Sequence, residues 1–268
     1  GFIGSNLKKY LLENYSEINL IEINRAKKEK SVRNEYTYDE FLSLKVQTNI
    51  DIFIHLGSPN YDFSDDDSIK LGIEDLTEKI LIKLSKYNCK KFIYFSSCKV
   101  YGESSFKKTV YSEQTKPKPI TDYAKSKLNA ENLVIKKSNK YKYNYLIYRL
   151  PFVYGKNFKS NLAKILKIID LSLPIPSISN QFNLKKSFLS IENLLAIINE
   201  NIKNDKTIDN NTFNLSDLDS ISVDDFLKIY KKHKRSRSFI INIPIIFFKI
   251  LIKIPILNKI VIKIFGSF

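Results

Sequence analysis

Two hydrophobic periods alternate along the first 150 residues. Leu7, Leu11 and Leu12 recur at helical spacing, and the pattern stops near Asn14. The stretch INLIEIN (18–24) then reads as a strand. A second strand is IDIFIHLGS, where Ile50, Ile52, Ile54 and Leu56 alternate and Phe53 fills the other face; KKFIYFSS is a third and YNYLIYRLP a fourth. Helical spacing returns between them, in LTEKILIKLSKYN (Leu76, Ile80, Leu81, Leu84) and in DYAKSKLNAENLVIKKS. Regular alternation of strand and helix predicts a parallel sheet covered on both faces, with ligands bound beyond the carboxyl ends of the strands. Past Gly155 the pattern changes to short helices, proline-marked turns (LPIPS, INIP) and the polar loop NDKTIDNNTFNLSD. This half reads as a smaller lobe over the site, with some segments returning to the sheet.

Length and composition narrow the class. At 268 residues with 43% hydrophobic side chains, the chain can fill a large core and is not a disordered protein. The 44 Lys and Arg against 28 Asp and Glu leave +16, but the lysines run through every segment beside abundant Ile and Asn, a compositional bias rather than a nucleic-acid footprint. No nucleic-acid partner is expected. Cys89 and Cys98 have neither metal-ligand spacing nor a disulfide framework, so no metal is expected and a reducing cytoplasm is the expected compartment. The apolar tail is broken by Pro244 and Pro255, with Lys249, Lys253, Lys259 and Lys263 recurring in it. It predicts two short amphipathic helices packed against the protein in preference to membrane-surface contact by residues 239–268, and no transmembrane helix.

Three groups of residues carry candidate chemistry. Gly1 and Gly4 in GFIGSNL open the first helix in the manner of a phosphate loop, whose backbone N–H groups can face an anion. Glu22 follows at about the 20-residue distance at which a strand-end carboxylate accepts from an adenosine ribose; the alternative, which it outweighs, is a solvated strand-end carboxylate. Arg25 beside it suits a 2′-phosphate, which leaves NADP open beside NAD. FSSCKVYG places Ser97 at the end of the third strand, and PITDYAKSKLNAE sets Tyr123 and Lys127 four apart on one helical face. A phenol with a pKa near 10 is a poor base at neutral pH unless its phenolate is stabilised, and an ammonium one turn away does that. Ser97 can then hold the reacting oxygen while Tyr123 moves the proton.

The order of Gly-x-x-Gly, an acidic strand end, D-x-x-x-H-L (Asp51 to Leu56), S-S-x-x-V-Y-G, Y-x-x-x-K and R-x-P-x-V-Y-G (Arg149 to Gly155) resembles the extended short-chain dehydrogenase/reductases. The likeness is to their NAD-dependent sugar-nucleotide epimerase/dehydratase group and covers nearly the whole chain. The resemblance implies a doubly wound Rossmann α/β fold with a smaller C-terminal substrate lobe. Residues 1–155 would form the cofactor domain, with 187–215 returning to it, and 156–186 with 216–268 the lobe. It implies a homodimer, NAD as cofactor and a chain truncated at both ends, since relatives carry a strand and a first glycine before Gly1 and continue past GSF. Carried over by position, Gly1, Phe2, Ile3, Gly4, Glu22, Leu56, Gly57, Tyr123, Lys127 and Pro151 would line the cofactor. Ser97, Tyr123 and Lys127 would be catalytic, and Ser97, Asn161 and Lys186 would face substrate.

Dehydratases of the group carry Thr-Asp-Glu where this chain has Ser97, Cys98 and Lys99, so 4,6-dehydration is disfavoured. The S-S-x-K-V-x-G-E variant resembles enzymes of bacterial surface-polysaccharide clusters. It implies redox chemistry at C4 of a UDP-sugar, as a UDP-N-acetylhexosamine 4-epimerase or a 4-keto reductase. Lys186 replaces a usual arginine and loses its bidentate fork; Asn161 reads equally as a helix cap beside Ser160. Ile73 stands where relatives have an asparagine. The rival to an enzyme is a non-catalytic dinucleotide-binding sensor or scaffold, against which Ser97, Tyr123 and Lys127 together argue.

Overall fold

The computed structural model describes residues 1–26, 34–45, 49–57, 66–102, 110–158, 161–177, 185–203 and 209–242. Helix α1 (Phe2–Asn14) is followed by β1 (Glu22–Asn24), β2 (Glu35–Thr37), α2 (Tyr38–Ser43) and β3 (Ile50–His55). Next come α3 (Asp66–Lys70), a π turn (Leu71–Asp75), α4 (Leu76–Leu84), β4 (Cys89–Ser97) and a 3₁₀ turn (Cys98–Tyr101). Helix α5 (Asp122–Tyr141), β5 (Asn144–Leu150), β6 (Phe152–Tyr154), α6 (Asn161–Asp170) and β7 (Ile175–Ser177) follow. The last described elements are β8 (Phe188–Ser190), α7 (Ile191–Lys203), β9 (Asn211–Asn214), α8 (Val223–Lys234) and β10 (Ile240–Asn242).

The main sheet runs β3-β4-β5-β9, all parallel, with Tyr94 level with His55 on one side and Ile147 on the other. Its central strand β4 is buried on both faces, which is why it reads as a nearly unbroken apolar run. Alternate residues divide between two cores. Phe92, Tyr94 and Ile147 pack with Ile73, Ile80, Leu81, Ala130 and Val134 from the π turn, α4 and α5. Ile93, Phe95, Leu146 and Tyr148 pack on the opposite face with Leu7 and Leu11 of α1 and Leu194 and Ile198 of α7. The fold is therefore a doubly wound α/β sheet of Rossmann type. A third core gathers Leu162, Leu166, Ile169, Ile175, Phe188, Val223 and Leu227. It is bridged by the parallel pairs β6-β8 and β7-β10 and by an antiparallel contact between Lys186 and Ile221.

The strand expected over residues 18–24 is shorter in the structure, and Glu22 is its first residue. Among the described residues strand β1 pairs with β2 in a two-stranded sheet of its own, while β3 lies at the border of the main sheet. Ladder hydrogen bonds define a strand, and among the described residues these begin at Glu22, where the pairing with β2 starts. A cavity of about 1950 Å³ is lined by Ile18, Leu20 and Ile23 at and before β1 and by Ile50, Ile52 and Ile54 of β3, among others. Gly1 sits at its lining too. Of the expected amphipathic tail, residues 243–268 lie outside the described residues; among the described residues no helix is long and apolar enough to cross a membrane.

Candidate active site

Two neighbouring elements of the sheet meet α5 at the site. Strand β4 runs Phe95, Ser96, Ser97 out of the sheet and turns at once into the 3₁₀ segment, where the Ser97 hydroxyl accepts from the backbone N–H of Lys99 at 3.3 Å. Helix α5 starts at a Thr121 cap whose hydroxyl accepts from the N–H of Ala124, which sets Tyr123 in the first turn and Lys127 one turn later. The Lys127 ammonium donates to the Phe95 carbonyl at 2.8 Å and lies 5.0 Å from the centre of the Tyr94 ring and 6.0 Å from that of Tyr123. Burial drives its pKa down to about 7, against the opposing pull of Glu131.

Glu131, one turn further along α5, is buried and anchors both strands. It accepts from the Ser96 hydroxyl on β4 and from Arg149 on β5, at 3.0 and 3.2 Å from Nε and 2.6 Å from Nη2. Arg149 Nη1 reaches the Tyr101 hydroxyl at 2.7 Å, and that hydroxyl donates to Asn214 of β9 at 2.9 Å. One polar chain thus crosses α5, β4, the 3₁₀ turn, β5 and β9. Cys98 lies within it, its thiol 3.4 Å from the Arg149 carbonyl and pushed by burial up to about 12. Burial thus holds this thiol in its neutral form.

A second buried group backs Lys127 from β3 and α4. The Thr77 hydroxyl donates to the Ile73 carbonyl in the π turn, so His55 Nε2, 3.1 Å away, must carry the proton and donate to Thr77. Burial first, and then the Lys127 charge, push His55 down to about 3 and keep it neutral. The same π turn puts Glu74 where it accepts from Ser126 of α5 at 2.7 Å. Ile73 is fully buried in the core, so it presents no polar group in the place where an asparagine was expected.

The structure brings the cofactor candidates to one cavity: Gly1, Phe2, Ile3, Gly4, Glu22, Leu56, Gly57, Tyr123, Lys127 and Pro151 all line it, as does Ser97. Gly1 caps α1, whose first turn holds no acidic residue, and a Cβ on Gly1 would meet nothing within 4 Å. A Cβ on Gly57 would come within 2.1 Å of the Tyr38 hydroxyl, which would have to move. Glu22 is ion-paired with Lys8 of α1. Of the substrate candidates, Ser97 lines this cavity, while Lys186 is not among its lining residues. Lys186 makes backbone bonds with Ile221, and its ammonium is pushed down to about 8 by burial and by Lys99. Asn161 opens α6, and its side chain lies outside the described residues. The sequence reading missed Ser96, Glu131, His55 and Thr77 as parts of the site; Glu131 was signalled by its position four residues after Lys127, and His55 by the D-x-x-x-H-L pattern. Among the described residues no three His, Cys, Asp or Glu side chains group as a metal site.

A nucleotide-binding α/β enzyme fold is the class these features define. Residues 1–174 match the NAD dependent epimerase/dehydratase family, and the chain belongs to that family. It is 27% identical over 266 residues to an uncharacterised protein of Methanocaldococcus jannaschii, covering 89% of this chain and 79% of that one. It is 30% identical over 139 residues to a UDP-glucose 4-epimerase of Vibrio cholerae, covering 52% of this chain and 42% of the relative. The UDP-glucuronic acid 4-epimerase of Bacillus cereus in complex with NAD superposes with a TM-score of 0.74 at 21% identity, over 90% of this chain and 84% of that one, a likeness of fold.

Two outcomes follow from the buried charges. Glu131→Leu strands the Arg149 guanidinium and is expected to cost about 3–5 kcal/mol in denaturant unfolding, most of it recovered when Arg149→Met is added. The second concerns pH. Lys127 titrates at about 7 folded and at its ordinary 10.5 unfolded. Between those values the unfolded chain binds more protons, so stability rises with pH across that window, while below it both states are protonated and the burial penalty stands in full. Relative to Lys127→Met, the wild-type chain should therefore gain stability from pH 7 to pH 10, and a flat difference would show that Lys127 is not held in its desolvated site.

Proposed function

We propose that the protein performs NAD(P)-dependent redox chemistry at C4 of a UDP-sugar, as a 4-epimerase or a 4-keto reductase of bacterial surface-polysaccharide synthesis. The observation that carries this reading is the placement of Ser97, Tyr123 and a buried Lys127 on the lining of one cavity that also includes the N-terminus of α1, where the Gly1 cap brings no side chain. These residues fit a dinucleotide. The N–H groups at Gly1 to Gly4 suit its pyrophosphate, Glu22 a ribose once Lys8 yields it, and Lys127 the ribose nearer the chemistry.

The chemical roles divide by geometry. Bound cofactor supplies the hydride acceptor and donor at C4. Ser97 positions the C4 oxygen, and Tyr123 takes its proton in oxidation and returns one in reduction. The Lys127 cation beside the Tyr123 ring lowers the cost of the phenolate. The Phe95 carbonyl holds that ammonium in place, and Glu131 keeps more of it protonated than burial alone would. Asn161 and Lys186 are proposed to meet the UDP phosphates, from a lobe formed by residues 156–186 and 216–268 against a cofactor domain of 1–155 and 187–215. NAD is preferred, with Arg25 leaving NADP open. A cytoplasmic homodimer is part of the proposal. Support comes from the family, from the similarity to a UDP-glucose 4-epimerase, and from a neutral Cys98 where a dehydratase needs a carboxylate.

Tyr123→Phe is expected to keep cofactor binding while losing turnover by roughly 10²-fold or more. Near-normal turnover would remove Tyr123 from the mechanism. With a 4-keto UDP-sugar, stoichiometric loss of the NADH absorbance marks a reductase, and interconversion of two 4-hydroxy epimers without loss marks an epimerase. Inactivity on every nucleotide sugar, with NAD still bound, would favour the sensor or scaffold.

A further inference from the structure

The positive charge is less dispersed than its lysine content first indicates. No Asp or Glu follows Asp225, whereas ten Lys and Arg do; the first 225 residues hold 34 basic side chains against 28 acidic, and the last 43 hold ten against none. Six of those ten lie on described residues at the end of α8 and just beyond it: Lys228, Lys231, Lys232, Lys234, Arg235 and Arg237.

Tertiary contacts fix this run beside exposed apolar side chains. The Ser236 hydroxyl donates to the Ile169 carbonyl at the end of α6, and Ser172 and Ser236 lie 3.4 Å apart. Tyr230 of α8 bonds Asp170 at 3.0 Å, and the Ile175 N–H donates to the Phe239 carbonyl at 2.9 Å where β7 and β10 pair. These bonds gather the α6–β7 turn and β10 at one place, where Leu171 is 70% exposed, Leu173 50%, Phe239 56% and Ile241 47%. The nearby acids are already engaged: Asp170 with Tyr230, and Asp225 with Ser222 and with Lys228 at 3.2 Å. A helix C-terminus favours cations within its last turn, which accounts for Lys231, Lys232 and Lys234. It does not account for Arg237 beyond the helix, nor for four large apolar groups left in water.

We propose that the face formed by the end of α8, the α6–β7 turn and β10 is a docking surface for an anionic lipid bilayer. Basic side chains are attracted to anionic headgroups, and exposed leucine, isoleucine and phenylalanine enter the acyl boundary beneath them. A nucleic acid would use the same cations but gains nothing from the aliphatic groups. None of the residues of this face lines the candidate active site, so a soluble nucleotide sugar could be handled at a membrane without the bilayer covering the cavity residues.

Sedimentation of the purified chain with vesicles tests this. At about 0.1 M salt the chain should pellet with mixed phosphatidylcholine and phosphatidylglycerol vesicles but not with phosphatidylcholine alone, and about 0.5 M salt should release it. Replacing Lys232, Lys234 and Arg237 together by Gln should weaken partitioning roughly 10²-fold. Leu171→Ser with Phe239→Ser should weaken it with the charge unchanged; thermal melts establish that both variants are folded. Equal pelleting with neutral vesicles, undiminished binding by folded variants, or capture by a DNA or RNA duplex with no vesicle binding would each overturn the proposal. If a variant does not fold, the lipid and salt comparison on the unaltered chain decides.

Discussion

The buried Glu131–Arg149 pair is the contact on which the rest of the site depends. A carboxylate this deep in a core must be matched by donors, and here they arrive from β4 and β5 at once, through Ser96 and the guanidinium. Because Glu131 and Lys127 share a face of α5, satisfying one positions the other: Lys127 can reach the Phe95 carbonyl only while the helix is held at this height over the strands. The pair therefore aligns Tyr123 and Lys127 on the helix with Ser97 on the strand. Its extension through Tyr101 to Asn214 carries the same alignment to β9.

That alignment sets up an electrostatic conflict at Lys127, and the conflict has a chemical use. Burial disfavours the ammonium, Glu131 favours it, and neutral His55 adds no second charge behind it. The result is a cation close to its titration point next to a tyrosine that needs one. The π turn belongs to the same design: its Ile73 carbonyl accepts from Thr77, which accepts from His55, and its Glu74 accepts from Ser126 on the helix that carries the site residues. Polar groups from β3, the π turn, α4, β4 and β5 thus surround the first half of α5, while the two large apolar cores hold the sheet that carries them.

Charge is distributed by a different rule. Over the sheet portion acidic and basic side chains nearly balance, but past Asp225 the acids stop. Composition summed over the whole chain hides this, because a total of +16 is the same whether dispersed or gathered. The third core, around Ile169, Ile175 and Leu227, folds the described part of the acid-free stretch, residues 226–242, against the α6–β7 turn, where its cations lie beside exposed apolar groups.

Much of the architecture was legible in the chain, since local periodicity reports which faces are buried. The runs at 50–55, 89–97 and 144–150 read as strands and 122–141 as a helix because the alternation of apolar residues is a property of neighbouring positions alone. The same holds for the spacing of Tyr123 and Lys127, which one helical turn determines, and for the glycines that open α1. Residues 18–24 read as a full strand by the same pattern, yet only three of them are one, because a strand needs a partner and the sequence does not say whether one is in place. Nothing local announces that Glu131 will find Arg149, or that His55 will stand behind Lys127 through Thr77. Those contacts join residues 18 to 72 positions apart, and only the packing of α5 across the sheet decides them.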